Sequence, residues 1–217
     1  MRCVSTRGGE STSLSAAIAK GLAPDGGLYL PESCPRQRFT KAFPTLTEAA
    51  IAVLEPFFEG ELLAPHLDDI CREAFSFDAP TRWLDDTTGL LELFHGPTAA
   101  FKDYGARFLA GCLARLTNDS KPTTVLVATS GDTGAAVASA FHRRPGFRVV
   151  ILYPSGRVSA RQAHQLGSFQ DNVTALQVRG SFDDCQSMVK TAFGDTELAS
   201  TLRLVSAERL RRILPQA

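Results

Sequence analysis

The sequence predicts an α/β fold with a parallel sheet, preceded by a mostly helical N-terminal region. Three observations carry this expectation. From Thr123 onward, short β-rich runs alternate with helical patterns through short turns. The first run, Thr123-Thr-Val-Leu-Val-Ala-Thr129, is apolar on both faces, as in a parallel strand covered by helices. The helix predicted after it is rich in Ala and Gly, small enough for close packing against a sheet.

Residues 1–90 read mostly as helix and loop. Residues 13–20 form a short helical pattern with Ser13 or Ser15 as cap and Gly21 as stop. Leu22-Ala-Pro-Asp-Gly-Gly-Leu-Tyr-Leu-Pro31 packs turn formers around one short extended run, 28–30, and reads as a structural turn. Residues 46–58 are a second helical pattern capped by Thr45 or Thr47. Residues 62–75 are a third, with Pro65 in its first turn and Asp68 and Asp69 near the positive end. An apolar run from Leu91 ends at the Gly96-Pro97 break, and a helical pattern then continues to about Leu116. After the first buried strand, the spacing predicts a helix over 131–141, a strand over 147–153 and a helix over 159–166. A strand over 173–178, a helix over 182–193 and a strand over 202–205 complete the pattern.

At 217 residues and 44% hydrophobic content, the chain can bury a core in one large domain or two small ones. The chain divides into an N-terminal region, 1–90, and an α/β core, 91–217, with the strand–helix alternation beginning at Thr123. Lys plus Arg equals Asp plus Glu at 23 each, with no basic stripe, so neither nucleic acid nor a membrane is an expected partner. No apolar run is long enough to span a bilayer, and the N-terminus lacks the apolar core of a signal peptide. Five widely spaced cysteines without a C-x-x-C suit reduced thiols in a cytoplasmic protein and argue against disulfides and a metal site.

The chemistry centres on Lys102. On a 3.6-residue helix it shares a face with Gly105, Ala106, Leu109, Leu113 and Leu116. Asp103, Arg107, Gly111 and Arg115 fall opposite, with Asp103 and Arg107 spaced as an ion pair. An ammonium at the head of an apolar stripe has its pKa lowered, which frees an amine for Schiff-base chemistry. The competing reading, an ammonium that snorkels back to water, is the one geometry alone favours. Three loops at strand ends are further candidates, because ligands of open α/β sheets bind beyond the carboxyl ends of strands. In Thr129-Ser-Gly-Asp-Thr-Gly134, two glycines and a helix start make a cradle for a phosphate or carboxylate, with Ser130 and Thr133 as hydroxyl donors. It reads equally as an ordinary turn capped by Asp132 or Thr133. In Pro154-Ser-Gly-Arg-Val-Ser159, Arg157 could hold an anion, although an exposed loop arginine by itself reads as solvated. In Arg179-Gly-Ser-Phe-Asp-Asp-Cys-Gln186, Ser181 and Asp183 read as caps, Gln186 as first-turn and Cys185 as a small buried hydrophobe. His95 reads as packing or a local hydrogen bond.

Taken together, five segments resemble the threonine synthase family, pyridoxal-phosphate enzymes with a fold like the tryptophan synthase β subunit. They are Gly21-Leu-Ala-Pro-Asp-Gly-Gly-Leu-Tyr-Leu-Pro31, residues 91–109 with Phe101-Lys102-Asp103, and residues 128–141, 152–159 and 180–190. They lie in the family's order over nearly the whole chain. The resemblance implies that Lys102 carries pyridoxal 5'-phosphate, which overturns the snorkelling reading. It implies that Ser130, Gly131, Asp132 and Thr133 face cofactor and substrate, and that Arg157 is a candidate for the substrate phosphate. The implied reaction converts O-phospho-L-homoserine and water to L-threonine and phosphate, with the lysine amine moving protons. A β- or γ-replacement such as cysteine synthesis is the neighbouring possibility, disfavoured by the Gly-Leu-Ala-Pro-Asp-Gly-Gly and Ser-Gly-Asp-Thr-Gly segments.

The sequence departs from the family in one respect. A second half, with a glycine-rich loop for the cofactor phosphate and the group facing the pyridine nitrogen, has no counterpart within these residues. The segment Val205-Ser-Ala-Glu-Arg-Leu-Arg-Arg-Ile-Leu-Pro-Gln-Ala217 begins and ends like the family's Ser-Ala-Asn-Ser-Ile-Asn…Leu-Pro-Gln stretch, with its asparagines replaced. The expectation is an incomplete fold, a truncated or altered chain. Alone, such a chain would bind the cofactor poorly and turn over little substrate. It would persist as a ligand-binding or interaction protein, or self-associate through an exposed sheet edge.

Overall fold

The computed structural model describes residues 1–117 and 121–206, so the altered segment beyond Ser206 lies outside the described residues. In the N-terminal region, β1 (Arg2–Ser5), β2 (Thr12–Ser13) and β3 (Tyr29–Pro31) form a three-stranded antiparallel sheet in the order β2-β1-β3. Sequence periodicity predicts only the third of these. The strands are two to four residues long, and long-range bonds place them. The Asp25 carboxylate accepts from Ser5 Oγ at 2.8 Å, Gly27 N at 2.8 Å and Gly9 N at 3.0 Å, tying the glycine turn to β1. The Gly27 N–H, then the Ser5 hydroxyl, hold Asp25 below the usual carboxylate range.

Helix α1 (Leu14–Lys20) starts at Ser13, whose hydroxyl accepts from Ala16 N, and stops at Gly21. Helix α2 (Leu46–Phe58) starts at Thr45 in the same way. The third predicted helix begins later than expected. Pro65 lies in a separate 3-10 turn, Ala64–His66, and α3 (Leu67–Ala74) follows with Asp68 and Asp69 in its first turn. A short hairpin, β4 (Thr81–Trp83) with β5 (Gly89–Leu91), was not predicted; every residue in both strands is exposed, so apolar alternation carries no signal there.

The α/β core follows the predicted alternation. Its elements are α4 (Lys102–Leu116), β6 (Thr123–Ala128), α5 (Asp132–Phe141), β7 (Phe147–Pro154), α6 (Ala160–Ser168), β8 (Val173–Val178), α7 (Phe182–Gly194), a short α8 (Thr196–Thr201) and β9 (Arg203–Ser206). The four strands are parallel in the order β8-β7-β6-β9. All six residues of β6 are buried, because both faces of the sheet are covered. Val125, Val127, Val149 and Ile151 face the larger core with Leu113 of α4, Phe141 of α5 and Leu166 of α6. Leu126, Ala128 and Leu152 face Cys185 and Val189 of α7.

The expected ion pair on α4 does not form. Asp103 is fully buried and accepts from Thr98 N at 2.9 Å and Thr98 Oγ1 at 2.7 Å. Arg107 turns to the end of α3, donating to the Ala74 carbonyl at 3.1 Å, to the Glu73 carbonyl and to Ser76 Oγ. The face opposite Lys102 is therefore a packing surface against α3.

At the carboxyl edge of the sheet the strand ends are uneven. Strand β6 stops at Ala128, opposite Leu152, whereas β7 continues through Tyr153 and Pro154, paired with Gln177 and Val178 of β8. Thr129 N still donates to the Leu152 carbonyl at 2.9 Å, after which the chain turns out over the recessed end.

Candidate functional site

Lys102 is the first residue of α4, with Phe101 at the cap position and no side-chain cap. Its ammonium lies 4.1 Å from the centroid of the Phe101 ring, a cation–π contact, and 4.0 Å from Asp132 Oδ2 on α5. Its side chain is 16% exposed, while that of Asp132 is 54% exposed. The residue after the lysine fixes the loop before it. Asp103 reaches back to Thr98, and the chain between them takes a left-handed turn at Ala99, φ 56°. Gly96 makes this possible: a Cβ there would stand 2.5 Å from Asp103 Oδ2 and 2.8 Å from Phe77 Cζ.

The loop opposite Lys102 is shaped from below. Thr129 is buried; its hydroxyl accepts from Gly131 N at 3.0 Å and Gly134 N at 2.9 Å and donates to the Gly131 carbonyl at 3.1 Å. The expected cap, Asp132 or Thr133, is therefore replaced: Gly131 occupies the cap position with no side-chain cap bond, and Thr129 gathers the N–H groups instead. Gly131 sits at φ 146°, and a Cβ there would collide with the Gln162 side-chain amide. Ser130 is exposed and Thr133 half-buried.

Helix α6 enters the same place. It starts with a capping box in which Ser159 Oγ accepts from Gln162 N at 3.2 Å and Gln162 Oε1 accepts from Ser159 N at 3.1 Å. The other end of the amide, Nε2, donates to Asp132 Oδ1 at 2.9 Å. Thr129 and Gln162 are the residues that sequence reading missed. The Ser159-x-x-Gln162 spacing is a visible capping-box signature, but its reach to Asp132 exists only in three dimensions.

The remaining candidates divide. Arg157 is exposed in the β7–α6 loop, and its charge acts on Asp184 at the start of α7. The structure thus brings Lys102 and Asp132 together, with Gly131 preceding Asp132 at the helix start and Arg157 on another loop. Ser181 caps α7 as expected, but Asp184 rather than Asp183 closes the box, its carboxylate accepting from Ser181 N at 2.6 Å. Cys185 is buried, and burial, with Asp184 nearby, pushes its thiol up. His95 pairs with Glu92 at 2.9 Å and stacks on Phe94. All five cysteines are free thiols. Among the described residues, no cluster of His, Cys, Asp or Glu is placed to hold a metal, and no helix is long and apolar enough to cross a membrane.

Comparison with known proteins places this geometry. Residues 90–203 match the family described as pyridoxal-phosphate dependent enzyme. The chain belongs to that family. Residues 2–75 match the threonine synthase N terminus. Threonine synthase of Escherichia coli (strain K12) is 41% identical over 213 residues, covering 95% of this chain and 50% of that protein. Threonine synthase of Schizosaccharomyces pombe is 38% identical over 218 residues, covering 89% and 42%. The crystal structure of the Escherichia coli threonine synthase superposes with a TM-score of 0.87 at 40% identity, covering 97% of this chain and 50% of that one. A threonine synthase from Brucella melitensis with bound PLP superposes at 0.85 and 40% identity, covering 95% and 47%. The chain thus spans about half the length of the curated relatives it matches. The fold is that of the pyridoxal-phosphate dependent enzymes, and pyridoxal phosphate is the family's cofactor.

The residues present fit such a group. A primary amine is held at the mouth of the site by an aromatic ring and a carboxylate. Facing it, the start of α5 presents the Asp132 carboxylate beside a glycine whose missing side chain leaves room for the Gln162 amide. Exposed and half-exposed hydroxyls flank that helix start at Ser130 and Thr133.

Proposed function

We propose that this chain supplies the lysine-bearing half of a threonine synthase, acting on O-phospho-L-homoserine in the cytoplasm. One observation carries the reading: the Lys102 amine, at the start of α4, faces the start of α5 across 4.0 Å. Pyridoxal phosphate, when bound, supplies an electron sink that makes protons near the amino-acid carbon acidic. The chain's residues would do the rest. Lys102 holds the cofactor and then accepts and returns protons at its amine. Asp132 keeps a negative charge beside that amine, and Ser130, Gly131 and Thr133 line the opposite wall with small polar groups. Arg157, on the next loop, is assigned to the substrate phosphate. The division at residue 90 separates this core from the N-terminal region. The outer position of β8, with Leu176 47% exposed, supports self-association through that edge.

The test is to load the purified chain with pyridoxal phosphate, reduce with borohydride and map the tagged peptide. The reading requires the tag on Lys102; a tag on Lys20, Lys41, Lys121 or Lys190 instead refutes it. Phosphate release is then assayed with and without the second half of the Escherichia coli threonine synthase co-expressed. Turnover restored by that half supports the enzyme reading. Cofactor capture with no turnover in either case supports the competing reading, a ligand-binding protein without catalysis.

A further inference from the structure

Asp132 is more than half exposed, so burial does not fix its carboxylate. A bond from another helix does. Gln162 Nε2 donates to Asp132 Oδ1 at 2.9 Å, and the opposite oxygen of that carboxylate is the one 4.0 Å from Lys102. The amide is itself immobilised, because its Oε1 accepts from both Ser159 N at 3.1 Å and Ser159 Oγ at 2.9 Å. A second observation shows the amide to be built into the site. It occupies the volume that a Cβ at Gly131 would need, so positions 131 and 162 are complementary. Each polar end of the amide is used, one by the cap of α6 and one by the carboxylate facing the lysine.

We propose that Gln162 is a positioning residue that orients the Asp132 carboxylate toward Lys102, so that the start of α6 sets the charge felt by the amine on α4. The inference rests on the reading of Lys102 as the reactive amine. Of the charged groups nearby, Asp132 of α5 faces Lys102, and Asp103 of α4 is turned away onto Thr98. The charge of Arg157, on the loop before α6, acts on Asp184 of α7.

Competitive labelling of amines across pH, followed by peptide mapping, tests this on the full chain without cofactor. Exposed Lys20, Lys41 and Lys190 serve as internal references. Gln162→Glu keeps the capping-box acceptor but sets a second carboxylate against Asp132, favouring the Lys102 ammonium. Its labelling midpoint should rise by about half a pH unit, a loss of about threefold in reactivity below the midpoint, with the references unmoved. Gln162→Met removes the donor at similar length, frees the half-exposed Asp132 carboxylate to turn away from Lys102, and should move the Lys102 midpoint in the opposite direction, downward. In an Asp132→Asn background, Gln162→Met should leave Lys102 where Asp132→Asn alone puts it. An unchanged Lys102 profile in either folded variant, or an undiminished Gln162→Met shift in the Asp132→Asn background, overturns the proposal. Because no cofactor is present, a chain that fails to capture pyridoxal phosphate does not alter this answer.

Discussion

The helix starts at the carboxyl edge of the large sheet are of two kinds. Helices α6 and α7 each begin with a serine whose hydroxyl accepts a backbone N–H and whose own N–H is returned to a side chain three residues on, Gln162 or Asp184. Helices α4 and α5 begin at Phe101 and Gly131 with no side-chain cap. The closed starts are built from four consecutive residues. The open ones depend on groups outside the helix, Thr98 for Asp103 and Thr129 for Gly131 and Gly134. Lys102 and Asp132 are the first helical residues of the two open starts. The candidate chemistry therefore sits where local closure has been given up and tertiary structure supplies the order.

The sharpest way to break this comparison is to remove the amine at an open start. Lys102→Ala should abolish borohydride-fixed cofactor on the 102 peptide. It should also lower any restored turnover by about 10²-fold or more, with the melting midpoint near wild type. Next comes Gly131→Ala, which forces a side chain into a left-handed backbone and against the Gln162 amide. We expect a loss of about 1–3 kcal/mol in urea unfolding together with weaker cofactor capture. A closed start behaves differently: Ser181→Ala should destabilise by about 1 kcal/mol and leave capture of the cofactor unchanged. Loss of capture in Ser181→Ala would erase the distinction between the two kinds.

The smallest effect separates the two ends of the pH scale. The Ser181 N–H first, then its hydroxyl, and the charge of Arg157 hold Asp184 below its ordinary value. A carboxyl lowered by folding stabilises the folded chain above its unfolded pKa and loses that contribution as pH falls through the folded value. Thermal midpoints of wild type and Asp184→Asn should therefore differ slightly at neutral pH and converge as pH falls through the lowered folded-state value of Asp184.

The same contrast explains what could be read from the sequence. From β6 to α7 the core elements were legible to within about two residues, because doubly covered strands such as β6 are apolar throughout and the closed helix starts carry their own signature, whereas the short α8 was not predicted. In the N-terminal region, β1 and β2 escaped because an aspartate twenty residues away holds Ser5 in place. The split at Pro65 escaped because a 3-10 turn and a first helical turn share one apolar spacing. Lys102 was visible as an odd residue on an apolar stripe, and its partners were not. Asp103 seemed destined for Arg107, one helical turn along, but its true partner precedes the helix, and Gln162 meets Asp132 only after a strand has intervened.

The uneven ends of β6 and β7 give this layout its depth. Two adjacent strands that finished level would present a flush rim, and anything resting there would be bathed in water on its underside. Because β6 finishes two residues short, the strand ladder carries a notch, with buried Thr129 at its foot beside Tyr153 and Pro154 of β7. Adding two residues to β6 would level the notch and lift Asp132 away from Lys102 while leaving every residue of the site unchanged in kind.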